Sequence, residues 1–431
     1  KYETINNISV SDEQKSFFEN FEKNNISFLI GNAGSGKSFL QKILLEYGKV
    51  LNMSVLLLSP TGKASKVLTQ YTGKQAYTIH RKLARPDSYI FDDIIIVDEA
   101  SMCDIFIIAK LLSRIQNDNA KIVFIGDDAQ IPSVGTGNFL YDCIHSDVLK
   151  INKLTKVFRQ KEGGILDIAT KTREGERFID SGYVGRRVFG KNCVLDSDFS
   201  DSIKNKVIER YTNVYKSGRW SVDDIVILTP TNVGDLGTIA LNKEIQQIVN
   251  PKSDLKSEKT FGSQKNEVTF RVGDYVMNKK NKYDIEVMNG NTDETVNVFN
   301  GESGYIIDIN LDEKFMIVDI DDSHVKYEFE DVLTTIMHSW VVTTYKAQGS
   351  EYKVVLAIVD KSATFQLNAN LLYTAFSRAK EYMLILGQSR TLNIALGKFA
   401  NLQRRCFLSD FLKIAYVEQK NPDKSLDSLL N

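Results

Sequence analysis

An α/β chain is what this sequence predicts: two parallel-sheet units with a small antiparallel barrel inserted in the second. Three observations predict it. Continuous β-branched runs alternate with stretches of helical apolar spacing in the first part of the chain, which argues for a parallel sheet covered on both faces. A second set of such runs, Ile225-Val226-Ile227-Leu228 and the run 353–359, repeats that texture further on. Between them the pattern changes to short strands separated by Gly, Asn and Asp turns.

Taken in order, Ser27-Phe28-Leu29-Ile30 reads as a short strand ending at a glycine-rich loop, and residues 39–47 carry apolar side chains at helical spacing. Val55-Leu56-Leu57-Leu58 is a second buried strand, with a helix near residues 64–68. Ile94-Ile95-Ile96-Val97 and Ile122-Val123-Phe124-Ile125 continue the series. The barrel strands are expected at 269–277, 304–309, 315–320 and 325–329. The tail after about residue 387 is mostly helical in pattern. The expected division is a first unit over 1–155, a second over 156–255 and 336–431, and the barrel over 256–335.

Bulk properties exclude little. A chain of 431 residues has room for two to four domains at about 100–200 residues each. Its 42% hydrophobic and 25% charged residues match an ordinary globular protein. No run approaches the ~18 apolar residues that a membrane span needs. The start, Lys1-Tyr2-Glu3-Thr4, lacks a secretory apolar core and an initiator Met. Four scattered cysteines without a C-x-x-C pair, and only four histidines, give no metal-ligand cluster and fit a reduced, cytoplasmic compartment. The net charge of −1 neither announces nor excludes nucleic acid, since a basic groove can sit on a neutral protein.

The motifs decide more. Gly31-Asn32-Ala33-Gly34-Ser35-Gly36-Lys37-Ser38 follows an expected strand and opens an expected helix, the context a Walker A loop requires. Its glycines let backbone N–H groups wrap phosphates, Lys37 reaches the terminal phosphates and Ser38 ligates Mg²⁺. A chance glycine-rich turn is the competing reading, and the flanking elements argue against it. Asp98-Glu99, at a strand end, supplies a carboxylate for Mg²⁺ and a neighbour to polarise the attacking water. Gln130, in Gly126-Asp127-Asp128-Ala129-Gln130, stands where a side chain can sense the γ-phosphate.

Together with Arg159 in Leu154-Thr155-Lys156-Val157-Phe158-Arg159-Gln160, and with Tyr373-Thr374-Ala375-Phe376-Ser377-Arg378-Ala379, this ordered set resembles superfamily 1 DNA helicases. Within them it is similar to the RecD-like, Pif-like and phage Dda-like group of superfamily 1B, over residues 11–387 or so. The resemblance implies two RecA-like motor domains, an SH3-like barrel opened by the turn Asn300-Gly301-Glu302-Ser303-Gly304, and ATP with Mg²⁺ as cofactors. It implies ATP-dependent 5′-to-3′ translocation on single-stranded DNA with unwinding at single-strand/duplex junctions. Lys37, Asp98, Glu99, Gln130, Arg159 and Arg378 become the catalytic set, the two arginines reaching the γ-phosphate from the second motor domain. Gln14 reads the base, the loop from Gly31 to Ser38 and Glu351 complete the nucleotide site, and Ser38 and Asp98 hold the metal. Pro60, Thr61, Lys63, Thr78, His80, Thr343 and Lys346 fall at nucleic-acid positions, where hydroxyls and lysines grip phosphates without reading sequence.

Three features depart from the group's pattern. Tyr345 stands where the group usually has His. The stretch 81–93 leaves room only for a very small duplex-splitting hairpin, with Tyr89 or Phe91 as wedges. The tail 398–405 has no counterpart and reads as a packed amphipathic helix with a basic face. Glu351-Tyr352-Lys353 imitates a nuclease E-x-K but lacks a partnered acidic strand, so nuclease activity is not expected. The competing function is a nucleic-acid-stimulated ATPase that remodels or recruits proteins without separating strands, favoured by the short hairpin segment. A monomeric motor is expected, recruited by replication or recombination proteins in a bacterial or phage-infected cytoplasm. DNA and RNA are not distinguished by phosphate grips of this kind.

Overall fold

The computed structural model describes residues 10–32, 34–156, 163–199, 203–263, 267–288, 295–404 and 406–420. These fall into two units: the described residues up to 156 together with those from Phe399 onward, and the described residues from 163 to Lys398.

The first unit opens with helix α1 (Asp12–Lys23), started by a capping box in which Ser11 and Gln14 exchange side-chain and backbone bonds. Strands β1 (Ile26–Gly31), β2 (Val55–Ser59), β3 (Ala76–Thr78), β4 (Ile94–Val97), β5 (Lys121–Gly126) and β6 (Ile151–Leu154) form one parallel sheet, ordered β3-β2-β4-β5-β1-β6. Helices α2 (Lys37–Val50), α3 (Gly62–Thr72), α4 (Ile79–Lys82), α5 (Ile105–Leu112) and α6 (Phe139–Ile144) make the connections. The central strands β1, β2, β4 and β5 are apolar on both sides, and their alternate residues feed two separate cores. Ile94 and Ile96 enter one beside Leu40 and Leu57; Ile95 and Val97 enter the other beside Leu56 and Phe124. Burying one such side chain contributes about 1.5–3 kcal/mol, which fixes a four-residue run as a central strand.

The second unit has its own sheet, ordered β19-β9-β20-β21-β8-β7. Its strands are β7 (Gly185–Phe189), β8 (Cys193–Ser197), β9 (Ile225–Thr229), β19 (Val341–Thr343), β20 (Tyr352–Val359) and β21 (Ala379–Gly387). All pair in parallel except β7, an antiparallel edge strand. Helices α7 (Gly164–Glu174), α8 (Lys204–Lys216), α9 (Thr238–Val249), α11 (Ala369–Phe376) and α12 (Ser389–Leu396) belong to this layer.

Between α9 and β19 the chain builds antiparallel structure. Strands β10 (Glu258–Phe261) and β11 (Val268–Arg271) pair, as do β13 (Lys282–Glu286) and β14 (Thr295–Val298). The main sheet runs β17-β16-β15-β12-β18, from β12 (Tyr275–Asn278), β15 (Ser303–Asn310), β16 (Phe315–Ile320), β17 (Ser323–Glu328) and β18 (Ile336–His338), with α10 (Val332–Thr335) before β18. It has its own core, centred on Phe270, Val276, Met316, Val325 and Tyr327. Because β18 pairs with β12, the insertion runs to His338 rather than stopping at 335. Asp274, fully buried, secures it to α9 by accepting from Gln246 Nε2 (2.7 Å), Asn250 Nδ2 (2.8 Å) and the Arg271 N–H (2.8 Å). His338 Nε2 lies 3.0 Å away, so the buried carboxylate is well satisfied.

Two expectations need correction. The stretch 81–93 forms no hairpin. It leaves α4 through a turn and makes one parallel bridge, Ile90 to Ile115, sealed by Ile90 N–H to Arg114 O and Gln116 N–H to Ile90 O. The residues between α4 and β4 instead lay Ile90 beside Ile115 in the segment after α5. Tyr89 and Phe91 are exposed there. Second, the tail does not stay with the second unit. From Phe399 it joins the first, where α13 (Leu408–Lys420) packs on α6 and sinks Leu408 and Leu412 against the core. The helix starts only at Leu408, and among the described residues of 398–405 the regular element is the 3₁₀ turn Asn401–Gln403, not the expected amphipathic helix.

Candidate nucleotide and nucleic-acid site

The carboxyl edge of the first sheet gathers most of the residues the sequence singled out. Register places Ile30 of β1 beside Gly126 of β5, and Val97 of β4 beside Phe124 on the other flank of β5. The loops after β1, β4 and β5 therefore rise from three adjacent strands, on either side of a topological reversal where open α/β sheets form crevices. Strands β2 and β3 continue the same edge and carry the Thr61 and Thr78 loops.

Within the loop after β1, Gly34 (φ 77°) and Gly36 (φ 92°) are left-handed, which an L side chain rarely adopts. A Cβ on Gly31 would fall 2.4 Å from Ser35 Oγ. Ser35 Oγ itself is buried without a hydrogen-bond partner. Lys37 Nζ donates to the Gly31 and Asn32 carbonyls, the latter at 3.0 Å, so the loop holds its own cation. Ser38 is exposed at the start of α2. An orphaned buried hydroxyl, left-handed glycines and a lysine folded over the rim fit a phosphate ligand. Ala33 lies outside the described residues.

Asp98 follows β4 and accepts from the Glu99 N–H at 2.9 Å. Burial pushes its carboxyl above the ordinary range, while the Gln41 amide, the Glu99 N–H and the Lys37 ammonium pull it back. Glu99 is held at φ 51°, a left-handed conformation costing about 1–3 kcal/mol that concentrates at functional sites. Gln130 is buried behind them, its backbone N–H donating to Asp127 O at 3.2 Å.

Gln14 differs from its expectation. A helix-start glutamine is normally exposed, but this one is 3% exposed because its Oε1 closes the capping box on the Ser11 N–H. The buried face of α1 is made by Gln14 together with Phe17 and Phe21.

Along the nucleic-acid edge the threonines share one local device. Thr61 Oγ1 accepts from the Ala64 N–H (3.2 Å) and Thr78 Oγ1 from the Arg81 N–H (3.1 Å), each capping the helix that follows. Pro60 and Lys63 flank the first cap half-buried, and His80 is exposed beside the second. In the second unit Thr343 Oγ1 accepts from the Lys346 N–H at 3.3 Å. Burial holds the Lys346 ammonium below the ordinary lysine range. Tyr345 is exposed. Arg378, 5% exposed, donates to Thr374 O (3.1 Å), Ser350 O (3.2 Å) and Ser377 Oγ (3.1 Å), and Glu351 pairs with Lys380 at 2.7 Å. Arg159 lies outside the described residues.

Comparison with known proteins gives these geometries a context. Three family descriptions match in chain order: an AAA domain over residues 9–181, the SH3 domain of ATP-dependent RecD-like DNA helicases over 241–320, and a UvrD-like helicase C-terminal domain over 338–386. The ATP-dependent RecD2 DNA helicase of Deinococcus radiodurans is 28% identical over 402 residues, covering 90% of this chain and 50% of its own. The ATP-dependent DNA helicase dda of phage T4 is 32% identical over 39% of this chain and 42% of its own. In all three matched segments the chain is similar to DNA helicases of the RecD and Dda kind. It shares its fold with Bacteroides Pif1 bound to ssDNA, at a TM-score of 0.53, 15% identity, and coverage of 96% and 98% of the two chains. The chain spans about half the length, or less, of the first curated relatives it matches.

The sequence reading missed residues that the fold brings in. Gln41 lies one turn beyond Lys37 on α2 and faces Asp98; its i, i+4 spacing from the lysine was the available signal. Asn401 and Arg404, read only as part of a basic tail, reach the loop that carries Gln130. No local signal in the sequence announces that contact.

Proposed function

We propose that the chain is an ATP-dependent 5′-to-3′ single-stranded DNA translocase and DNA helicase of the cytoplasm. The observation that carries this reading is the shared carboxyl edge of the first sheet, where the phosphate-type loop, Asp98-Glu99 and the Gln130 loop adjoin the capped Thr61 and Thr78 loops. A change at the phosphate loops then has a short path to the strands that would grip nucleic acid.

In this reading Lys37 leaves the Gly31 and Asn32 carbonyls for the terminal phosphates, a rearrangement its long flexible stem permits. Gln14 holds the base, Ser38 and Asp98 would hold Mg²⁺, and Glu99 orients the attacking water. Bound Mg²⁺ neutralises phosphate charge. Arg378 and Arg159 supply planar cations to the charge that develops on the transferred group, for which Arg378 must exchange its carbonyl partners. Glu351 completes the nucleotide site. Pro60, Thr61, Lys63, Thr78, His80, Thr343 and Lys346 contact the phosphate backbone. Replication, repair or recombination is the setting the RecD and Pif relatives point to.

A tailed-duplex assay tests the reading. Unwinding is expected with a 5′ single-stranded DNA tail and not with a 3′ tail, and RNA tails run beside them report the sugar preference. Displacement only from 3′-tailed duplexes would overturn the polarity. The absence of a hairpin at 81–93 favours a second reading, a nucleic-acid-stimulated ATPase that remodels or recruits proteins. Hydrolysis stimulated by single-stranded DNA without displacement from any tail would select it.

A further inference from the structure

The loop between β5 and α6 carries Gln130 and then runs through Ser133 to Gly137 before Asn138. Little of it is regular structure, and Gly137 is left-handed at φ 84°. Such a segment leaves carbonyls pointing outward with no ladder to satisfy them. In this chain they converge. The Ser133, Gly135 and Gly137 carbonyls all accept from the Arg404 guanidinium, at 2.5, 2.9 and 2.8 Å. Ser133 Oγ lies 3.5 Å from the same group. Upstream, Asn401 Nδ2 donates to the Asp128 carbonyl at 2.9 Å, two residues before Gln130, and the Asn138 amide donates back to Asn401 O at 3.2 Å.

The contact is held from behind. Asn401 is buried, Leu408 and Leu412 of α13 pack on the core, and Cys406 faces the Asp142 carboxylate of α6. A planar fork that meets three carbonyls fixes their mutual spacing, which a flexible point charge would do less well. The two ends of the Gln130 segment are thus both pinned by residues from more than 260 positions later in the chain.

We propose that Arg404 and Asn401 are positioning residues for the Gln130 loop: they set the geometry in which Gln130 responds to the γ-phosphate, so the C-terminal tail is a working part of the nucleotide site. The proposal rests on the reading of Gln130 as that sensor. Loss of Arg404 frees the loop between Asp127 and Asn138 while leaving the Lys37 loop and β1 intact.

Arg404→Ala tests it in the full chain. Amide hydrogen exchange without nucleotide is expected to quicken about tenfold or more across 133–137 and to stay unchanged across β1, since charge-assisted bonds are the strong ones. Turnover stimulated by a thymidine oligonucleotide falls about tenfold with the KM for ATP within about twofold, the split expected of a response that follows binding. Arg404→Lys recovers part of both. Where Arg404→Ala fails to fold, Asn401→Ala removes one bond from the same loop and gives the same pattern more weakly. In a Gln130→Ala background, Arg404→Ala adds no further loss of turnover. Unchanged exchange across 133–137, or losses that multiply with Gln130→Ala, overturn the proposal. A silent Gln130→Ala overturns the sensor role itself; it is told apart because exchange across 133–137 still quickens in Arg404→Ala.

Discussion

The two parallel sheets solve the same packing problem and finish their carboxyl edges differently. In the first unit that edge keeps unspent features: left-handed glycines at 34 and 36, a left-handed Glu99, and a buried Ser35 hydroxyl without a partner. In the second unit Thr343, at the carboxyl end of β19, closes on the Lys346 N–H, while Arg378 lies at the opposite, amino end of the sheet, just before β21, tied to two carbonyls and a hydroxyl. Strain and orphaned polar groups persist in folded chains where a ligand or a reaction uses them. The first edge has the features of a phosphate site; the second unit holds its cation with its own chain.

The largest expected effect comes from removing the first edge's cation. Lys37→Ala should lower ATP turnover by at least about 100-fold, the scale of losing one preorganised charge at a phosphoryl site, while single-stranded DNA binding persists. Steady-state hydrolysis with a filter-binding control measures it; retained turnover would erase the contrast between the edges. A middle-sized effect should separate the caps. Thr61→Ala removes the side-chain cap of α3 and should cost about 1 kcal/mol by denaturant unfolding, besides weakening single-strand binding. Thr343→Ala removes a longer bond that caps no helix, and should weaken binding with a smaller loss of stability. Equal stability losses would say the two edges are built alike.

The smallest effect concerns protonation. Burial lowers the proton affinity of Lys346 in the folded chain, so its charged form is lost at a lower pH than in an ordinary lysine. For a depressed lysine the sign is clear: charging it opposes folding at neutral pH, and that cost fades as pH rises past the folded value. Its grip on phosphate fades over the same range. Single-strand affinity should therefore drop more between about pH 8 and 10 in the natural chain than in Lys346→Arg, whose guanidinium stays charged. Parallel pH profiles would remove Lys346 from the phosphate contacts.

Much of this was legible because parallel-sheet α/β units advertise themselves. The runs at 94–97 and 122–125 can only be buried strands, and a glycine loop between strand and helix has few other uses. The short edge elements β3, β7 and β19 escaped, since three to five residues with mixed polarity carry little periodicity. The hairpin expected at 81–93 failed for a related reason: segment length was read without knowing that the stretch beside Ile115 offered a bridge.

By itself the sequence determined which residue types meet at each strand end, because backbone conformation and apolar period are local properties. It therefore named the loop from Gly31 to Ser38 and Asp98-Glu99, while the threonines were reached only through the resemblance to a known family. Only the tertiary structure decided which distant groups satisfy those loops. Gln41 against Asp98 and Arg404 within the carbonyls of 133–137 depend on packing between segments far apart in the chain, unlike the capping box of Ser11 and Gln14, which is local. Those contacts follow from where apolar helices find cover, and no periodicity along one segment records that.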